Sequence, residues 1–386
     1  MNFNFTSQQI ELQKKAAQFC NHYIVPVRRE LENNHQFPVE LMKQMAAEGF
    51  LSLTVPKSFG GVEADAISYS LAMQEFSEAD AGVSVAMSVT NMVAEIILKF
   101  GNDRQKEEFL PKFASGDIIA GAFGLTESNA GSNPVEMRTR AVEADSNPGT
   151  YRINGEKIFI TNGDKAGVIV LFAKTDPEKA HHGITAFLVT PDTKGFSVGK
   201  KEHKLGLLSS STVTLLLEDV QVDETAILGN RGDGFKIAMT ALDSGRIGIA
   251  SQAVGIAQAA VEDFIRLLRE RASVDLGLKD EGIQFEIAQL FTELEAAKLL
   301  IYKAASRKMQ QLPFTREASM AKLYATEISN RIVSRVATLS GWQGVVESGF
   351  FEKYFRDIRV TTIYEGTSEI QKIVIARKIL AQLENS

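Results

Sequence analysis

From about residue 233 onward, apolar residues recur at three- and four-residue steps, run after run. Ile247, Ala250, Val254, Ala257, Val261, Phe264 and Leu268 form the first run. Ile283, Ile287, Leu290, Leu294, Ala297 and Ile301 form the second, and Ala318, Ala321, Ala325, Ile328, Ile332, Val336 and Leu339 the third. Such spacing places each set on one face of a helix, and a one-sided helix must bury that face. A last helix follows Ser368, which with Gln371 reads as a capping box ahead of Ile370, Ile373 and Val374. Four long helices in sequence predict a bundle. Gly248 and Gly255 lie inside the first helix. Glycine there costs about 1 kcal/mol against alanine, so a close approach of helix or ligand is expected.

Upstream the period changes. Residues 119–232 carry short β-branched runs such as Val168–Phe172, Ile184–Val189 and Thr212–Leu217. Tyr151-Arg152-Ile153 and Lys157–Ile160 flank Asn154-Gly155, which predicts a hairpin turn. Residues 6 to 118 return to helical spacing. A single core rarely grows past about 250–300 residues, and the chain has 386. The expectation is an α+β multidomain protein: an N-terminal helical domain (1–118), a middle antiparallel β-domain (119–232) and a C-terminal four-helix bundle (233–386).

Composition removes several classes. A net charge of −6 gives no basic footprint for nucleic acid. No uninterrupted apolar stretch approaches the roughly 20 residues of a membrane span, so membrane insertion is not expected. The greasiest stretch, near Val93–Leu98, is interrupted by Glu95, which could reach a pocket floor but for which a helix-surface position is expected. The start MNFNFTSQQ has neither a basic segment nor an apolar core, so no signal peptide is expected. One cysteine, Cys20, suits a reducing compartment, and a cytoplasmic location is expected. His181 and His182 sit in a polar stretch that reads as a loop, and no metal site is expected.

Four segments carry chemistry. Phe123-Gly124-Leu125-Thr126-Glu127-Ser128-Asn129-Ala130-Gly131-Ser132 offers small residues, hydroxyls and amides at a strand exit. It could bond a flat, polar-edged ring, or be an ordinary strand-to-loop turn. Lys157–Gly163 ends a strand with Phe159, Ile160 and Thr161, fitting either ring stacking or a core phenylalanine before a turn. Leu242-Asp243-Ser244-Gly245-Arg246 reads as a helix start with an acid and an arginine three apart on one face. Ligand binding and N-terminal capping are both open there. In Ile363–Ile370, Glu365 stands between an aromatic and a glycine just before a helix. It could be a base approached closely by substrate, or a solvated carboxylate.

Taken together and in this order, the LTE…AGS, FITNG and YEGTSEIQ strings resemble the acyl-CoA dehydrogenase family over residues 5 to 380. The family layout of helical domain, β-domain and four-helix bundle agrees with the organisation read from periodicity. The resemblance implies an FAD enzyme acting on an acyl-CoA thioester and passing electrons to an electron-transfer flavoprotein, as a homotetramer. Glu365 takes the place of the catalytic base that abstracts the α-proton while the β-hydride passes to flavin. The resemblance assigns Phe123, Leu125, Thr126, Ser132, Phe159, Ile160, Thr161, Thr367 and Glu369 to the flavin. It assigns Ser132 also, with Asp243, Arg246, Tyr364 and Gly366, to the acyl-CoA. Some relatives carry the base directly before the arginine equivalent to Arg246. Here that position is Gly245, which leaves only Glu365.

There are departures. Phe159 replaces a usual tryptophan. The family's R-x-x-F-G string reads Arg271-Ala272-Ser273-Val274-Asp275-Leu276-Gly277, and its Q-x-x-G-G-x-G reads Thr338-Leu339-Ser340-Gly341-Trp342-Gln343-Gly344. Arg271, Thr338, Gly341 and Trp342 thus belong to a rebuilt adenylate end of the FAD site. Two other readings stay open: a catalytically silent paralogue acting as a structural subunit, which the rebuilt end allows, and an acyl-CoA oxidase, whose relatives are expected to be longer.

Overall fold

The computed structural model describes residues 4–144, 148–271, 279–346 and 349–384. The N-terminal part is helical: α1 (Ser7–Phe19), α2 (Arg28–Asn33), α3 (Val39–Ala47), α4 (Ala66–Ala79), α5 (Ala81–Phe100) and α6 (Asp103–Ser115). Side-chain caps set their starts. Thr6 and Gln9 form a capping box on α1, Asn102 and Gln105 another on α6, and Asp80 accepts from Val83 N to start α5. Phe19, Met42, Met45, Phe50 and Phe76 fill the core of this part. α5 is long and apolar enough to cross a membrane, but most of it is buried inside the protein.

The middle part holds β1 (Gly121–Gly124), β2 (Arg140–Glu143), β3 (Thr150–Thr161), β4 (Val168–Lys174), β5 (Ile184–Val189), β6 (Phe196–Lys201), β7 (Thr212–Asp223) and β8 (Ile227–Leu228). The described strands form one sheet in the order β6-β7-β3-β2-β4-β5-β8, with β1 against β4. Pairing is mostly antiparallel. The exceptions are β1 with β4 and a single parallel pair, Arg140 with Lys174. β4 and β5 are buried nearly end to end, as their unbroken apolar runs require.

The expected hairpin at Asn154-Gly155 does not form. β3 runs straight through it, because residues on both sides pair with β7: Tyr151 with Val222, Lys157 with Leu215. Here the extra residue is on β7, where Glu218 and Asp219 stand opposite Asn154 alone, and Asn154 exchanges two hydrogen bonds with Asp219. Gly155 is used for close approach instead, since an added Cβ would lie 2.4 Å from Thr139 Oγ1.

The C-terminal part contains α7 (Gly234–Arg271), α8 (Glu281–Met309), α9 (Thr315–Leu339), α10 (Phe351–Ile358) and α11 (Ser368–Leu383). All seven apolar residues of the first periodic run are buried, and α7, α8 and α9 share that core. α11 lies on α9 as the fourth long helix and leaves Ile373, Leu380 and Leu383 exposed. α4 also packs on α7. A Cβ at Gly255 would lie 2.5 Å from Gln74 O of α4, which is why glycine interrupts α7 there.

Candidate active site

Glu365 lies between α10 and α11 with φ +54°, and Gly366 follows at φ +92°. Two successive left-handed residues reverse the chain sharply, and such a backbone persists only when its surroundings hold it. Here the carbonyls are held. Gln371 Nε2 donates to Glu365 O at 3.2 Å and to Gly366 O at 2.9 Å, and Lys322 Nζ donates to Gly366 O at 2.7 Å. The capping box expected at Ser368 is therefore absent. Thr367 caps α11 through Ile370 N, Ser368 Oγ donates to Glu327, and Gln371 serves the turn. Glu369 is exposed in the first turn of α11.

The turn aims the Glu365 carboxylate at α7. A Cβ on Gly245 would sit 2.5 Å from Glu365 Oε2, so only glycine leaves room. Glu365 as a whole is half-buried, but Oε2 is sealed from solvent and has no hydrogen-bond partner among the described residues. Burial pushes this carboxyl up to about 7, against the opposing pull of Arg246 and Lys322. A carboxyl near neutrality with a free oxygen is suited to take a proton.

Asp243 and Arg246 do not start a helix; they sit well inside α7. Arg246 Nη1 donates to Asp243 Oδ1 at 2.5 Å and to Ser319 Oγ at 3.3 Å, and Thr315 Oγ1 donates to Asp243 Oδ2 at 2.5 Å. Arg246 Nε is buried with no partner among the described residues, an unmet donor on the residue whose charge acts on Glu365. Burial raises the pKa of Asp243 and lowers that of Arg246.

Behind Gly245, one turn along α7, a Cβ on Gly248 would meet Ser88 Oγ at 3.1 Å and Tyr69 OH at 3.2 Å. Those two hydroxyls are 3.1 Å apart. The Tyr364 hydroxyl donates to Gln252, which is anchored on Ala81 O and Ser84 of α5. Between α5 and α7 a shallow cleft is lined by Met92, Glu95, Lys99, Thr240 and Ser244, among others. Glu95, expected on a helix surface, turns into this cleft instead. Lys308 lies 2.6 Å from it and Ser244 Oγ donates to it at 3.1 Å, so α7 and α8 supply partners that a one-helix reading cannot see.

The strand-exit residues gather beside β3. Ile158 N donates to Thr126 O at 2.9 Å, and the buried Lys157 donates to Leu125 O at 3.2 Å and to Glu127 Oε1 at 2.7 Å. Glu127 in turn accepts from Arg138 N and Thr139 N. Leu125 and Ile160 are buried, Phe123, Thr126 and Thr161 half-buried, and Ser132 exposed. Phe159 has φ +57° and 60 % exposure, lifted outward where the β3–β7 register slips between Lys157 and Ile160. Nothing lies within 4 Å of a Cβ built on Gly131. An uncovered aromatic ring, hydroxyls and an open glycine fit a flat, polar-edged ring such as flavin. Asn162 fastens this edge to α5, its Nδ2 donating to Ala86 O at 3.0 Å and to Gly121 O at 3.1 Å.

Of the residues expected at the adenylate end, the described ones, Thr338, Gly341 and Trp342, are not brought to Glu365 within one chain. Thr338 is exposed with its hydroxyl on Ser334 O, Gly341 has φ +65° with open space around it, and Trp342 is 68 % exposed. The length of α9 from Lys322 to Thr338 is about 24 Å at 1.5 Å per residue. The Arg271 side chain and residues 272–278 lie outside the described residues. Sequence reasoning passed over Lys322, Gln252, Tyr69 and Lys157. A signal existed for Lys322, four residues after Ala318 on an apolar helical face.

Three family models match the chain. These are the acyl-CoA dehydrogenase N-terminal domain over residues 6–117, the middle domain over 122–220 and the C-terminal domain over 232–380. An acyl-CoA dehydrogenase of Bacillus subtilis is 41 % identical over 97 % of this chain and 98 % of its own. The structure of butyryl-CoA dehydrogenase from Megasphaera elsdenii superposes with a TM-score of 0.95 at 39 % identity, covering 98 % of this chain and all of its own. A prolyl acyl carrier protein oxidase, AnaB, superposes at 0.92 with 29 % identity, covering 97 % of this chain and all of its own. An oxidase can thus share this chain's length, and length does not separate the two activities.

Proposed function

This chain belongs to the acyl-CoA dehydrogenase family, and from that footing we propose that it oxidises the Cα–Cβ bond of an acyl-CoA to the 2-enoyl-CoA with Glu365 as base. The carrying observation is the Glu365 carboxyl itself. It is aimed across Gly245, unpartnered at Oε2 and pushed up to about 7. That is the state a base needs to remove a weakly acidic α-proton near neutral pH. The Glu365 backbone N–H is assigned to the thioester oxygen, where it stabilises the charge that develops as the proton leaves. Losing one such donor typically costs about 10²–10³ in rate.

Leu125, Thr126, Ser132, Phe159 and Thr161 would hold the ring of FAD, with Phe123 and Ile160 behind them and Thr367 and Glu369 beside it. When bound, FAD supplies the acceptor for the β-hydride. Asp243 and Arg246 would meet the coenzyme A moiety; the unmet Arg246 Nε supports this. Tyr364 and Gly366 flank the acyl group. Thr338, Gly341, Trp342 and Arg271 would serve the adenylate end across a subunit interface. With this reading go domains of 1–118, 119–232 and 233–386, a homotetramer, an electron-transfer flavoprotein as acceptor and a cytoplasmic location. The likeness to butyryl-CoA dehydrogenase, and the Tyr69–Ser88 pair against Gly248, favour a short acyl chain.

The test is a screen of acyl-CoAs of rising chain length with an artificial electron acceptor, run with and without oxygen. Substrate should bleach the flavin of the purified protein, most strongly for short chains. FAD-loaded protein that no acyl-CoA bleaches would leave the silent-paralogue reading, and peroxide formed at the turnover rate would leave the oxidase.

A further inference from the structure

Lys322 is fully buried on α9, between the alanines Ala318, Ala321 and Ala325 and the small hydroxyl residues Ser319, Thr326 and Ser329, none of which carries a charge. An ammonium in such a place is costly unless something there needs it. Its hydrogen bond goes to a backbone carbonyl, Gly366 O at 2.7 Å, and not to a carboxylate. That carbonyl belongs to the residue after the base, in the middle of a turn whose two residues both have positive φ.

We infer that Lys322 is a positioning residue for the reaction: its buried ammonium clamps the Gly366 carbonyl, holds the left-handed turn that carries Glu365, and sets a positive charge beside the ionised base. The inference rests on the proposed role of Glu365. The groups that face this carboxyl are Arg246 from α7, Lys322 from α9, the Tyr69 phenol from α4 and its neighbour Tyr364. Glu95 of α5 also acts on Tyr69. Of the two cations, Arg246 is already engaged by Asp243. Lys322 has no such carboxylate bond, so its charge is available to the base. Burial pulls Lys322 itself down to about 8, with Glu365 first, then Glu327 and Glu369, acting to hold its proton and Arg246 acting against. Gln371 duplicates the clamp on the same carbonyls without the charge. Loss of Lys322 therefore removes field more completely than it removes geometry.

The experiment compares Lys322→Met, Lys322→Gln and Lys322→Arg in FAD-loaded full-length protein. One readout is the acidic limb of the kcat pH profile. The other is an infrared titration of the protonated carboxyl band, assigned by its absence in Glu365→Gln. Lys322→Met and Lys322→Gln should move both upward by about one pH unit, the low end for an opposite charge nearby. Lys322→Arg should leave both in place. A folded neutral variant whose limb and carboxyl band stay at the wild-type pH overturns the inference, even if turnover falls, because a purely structural lysine would do that. If neither neutral variant folds, Lys322→Arg decides: a displaced band with the charge retained overturns it, an unmoved band supports it. A wild type that oxidises no acyl-CoA but whose Glu365 band moves in Lys322→Met overturns the reaction and leaves this role of Lys322 standing.

Discussion

Replacing Glu365 by glutamine should make the protein less active and, at neutral pH, more stable. The carboxyl ionises near 4.5 in an unfolded chain and at about 7 in the folded one. Below about 4.5 it is protonated in both states and has no effect. Between those values the unfolded chain holds fewer protons, so stability falls as pH rises, and above about 7 the whole penalty is present. One unit is worth 1.36 kcal/mol, so about 2.5 units give about 3 kcal/mol; partial solvent contact of the residue brings the expectation to about 1–3 kcal/mol. Glutamine has nearly the same size and cannot ionise. Melting temperatures of wild type and Glu365→Gln, taken at matched protein and FAD concentrations, should therefore lie close at pH 4.5 and diverge in favour of the variant by pH 8. The same variant should keep its flavin and lose at least about 10² in turnover. A melting difference that is flat across this range would show that the carboxyl is not desolvated as the structure has it. Turnover within about tenfold of wild type would remove Glu365 as the base.

Gly245→Ala puts a methyl 2.5 Å from Glu365 Oε2. The carboxylate must swing aside, and kcat should fall by about 10–10²-fold while circular dichroism and flavin content stay unchanged; undiminished turnover refutes the aim of the base. Lys157→Met strands the buried Glu127 carboxylate, whose pKa is held down by Lys157 together with Thr139 and the Arg138 amide against the opposing effect of burial. Unfolding should show a loss of about 3–5 kcal/mol, partly recovered when Glu127→Gln is added, and a second change with no recovery would refute the pairing argument. Trp342→Gly should lower FAD occupancy in a fluorescence titration, because the exposed indole is the one broad π-face near Thr338 and Gly341 among the described residues. FAD binding as tight as wild type would mean that other groups hold the adenine.

Periodicity located α7, α8 and α9 because three- and four-residue spacing reports burial directly, and their apolar faces are indeed buried. The same signal could not say what covers α11, whose Ile373 and Leu383 meet no apolar neighbour able to bury them within one chain. Asn154-Gly155 misled because a turn dipeptide reads the same whether the chain reverses or runs straight on; the choice is made by pairing with β7, about sixty residues away, which bulges to meet it. Ser368 misled for a similar reason. Either of two adjacent hydroxyls can cap α11, and Glu327 on α9 draws Ser368 away while Thr367 takes the cap. Motifs named segments of the proposed site but not their partners, since Lys322, Gln252 and Tyr69 stand outside every motif string, on helices where nothing local marks them.

The deeper limit lies in the backbone. Phe159, Asn162 and Glu365 all have positive φ, and two of these are residue types that local preference keeps out of that region. No local signal can predict them, because what sustains each is tertiary. Asn162 is held by Ala86 O on α5 and Gly121 O on β1. Phe159 is held by the register slip of β3 on β7 and the Ile158–Thr126 bond. Glu365 is held by Gln371 and Lys322. Such strain persists only where surroundings over-determine it, and it gathers at functional sites. All three lie in segments proposed to carry the chemistry, and α5 bonds one of them, Asn162, directly. α5 receives Asn162 from the end of β3, presents Ser88 to Tyr69 and Gly248, and through Ala81 and Ser84 anchors the Gln252 that takes the Tyr364 hydroxyl. Under the proposed reaction a proton and a hydride leave adjacent carbons, and α5 is the helix that touches both the proposed ring-binding edge and the residues around Glu365.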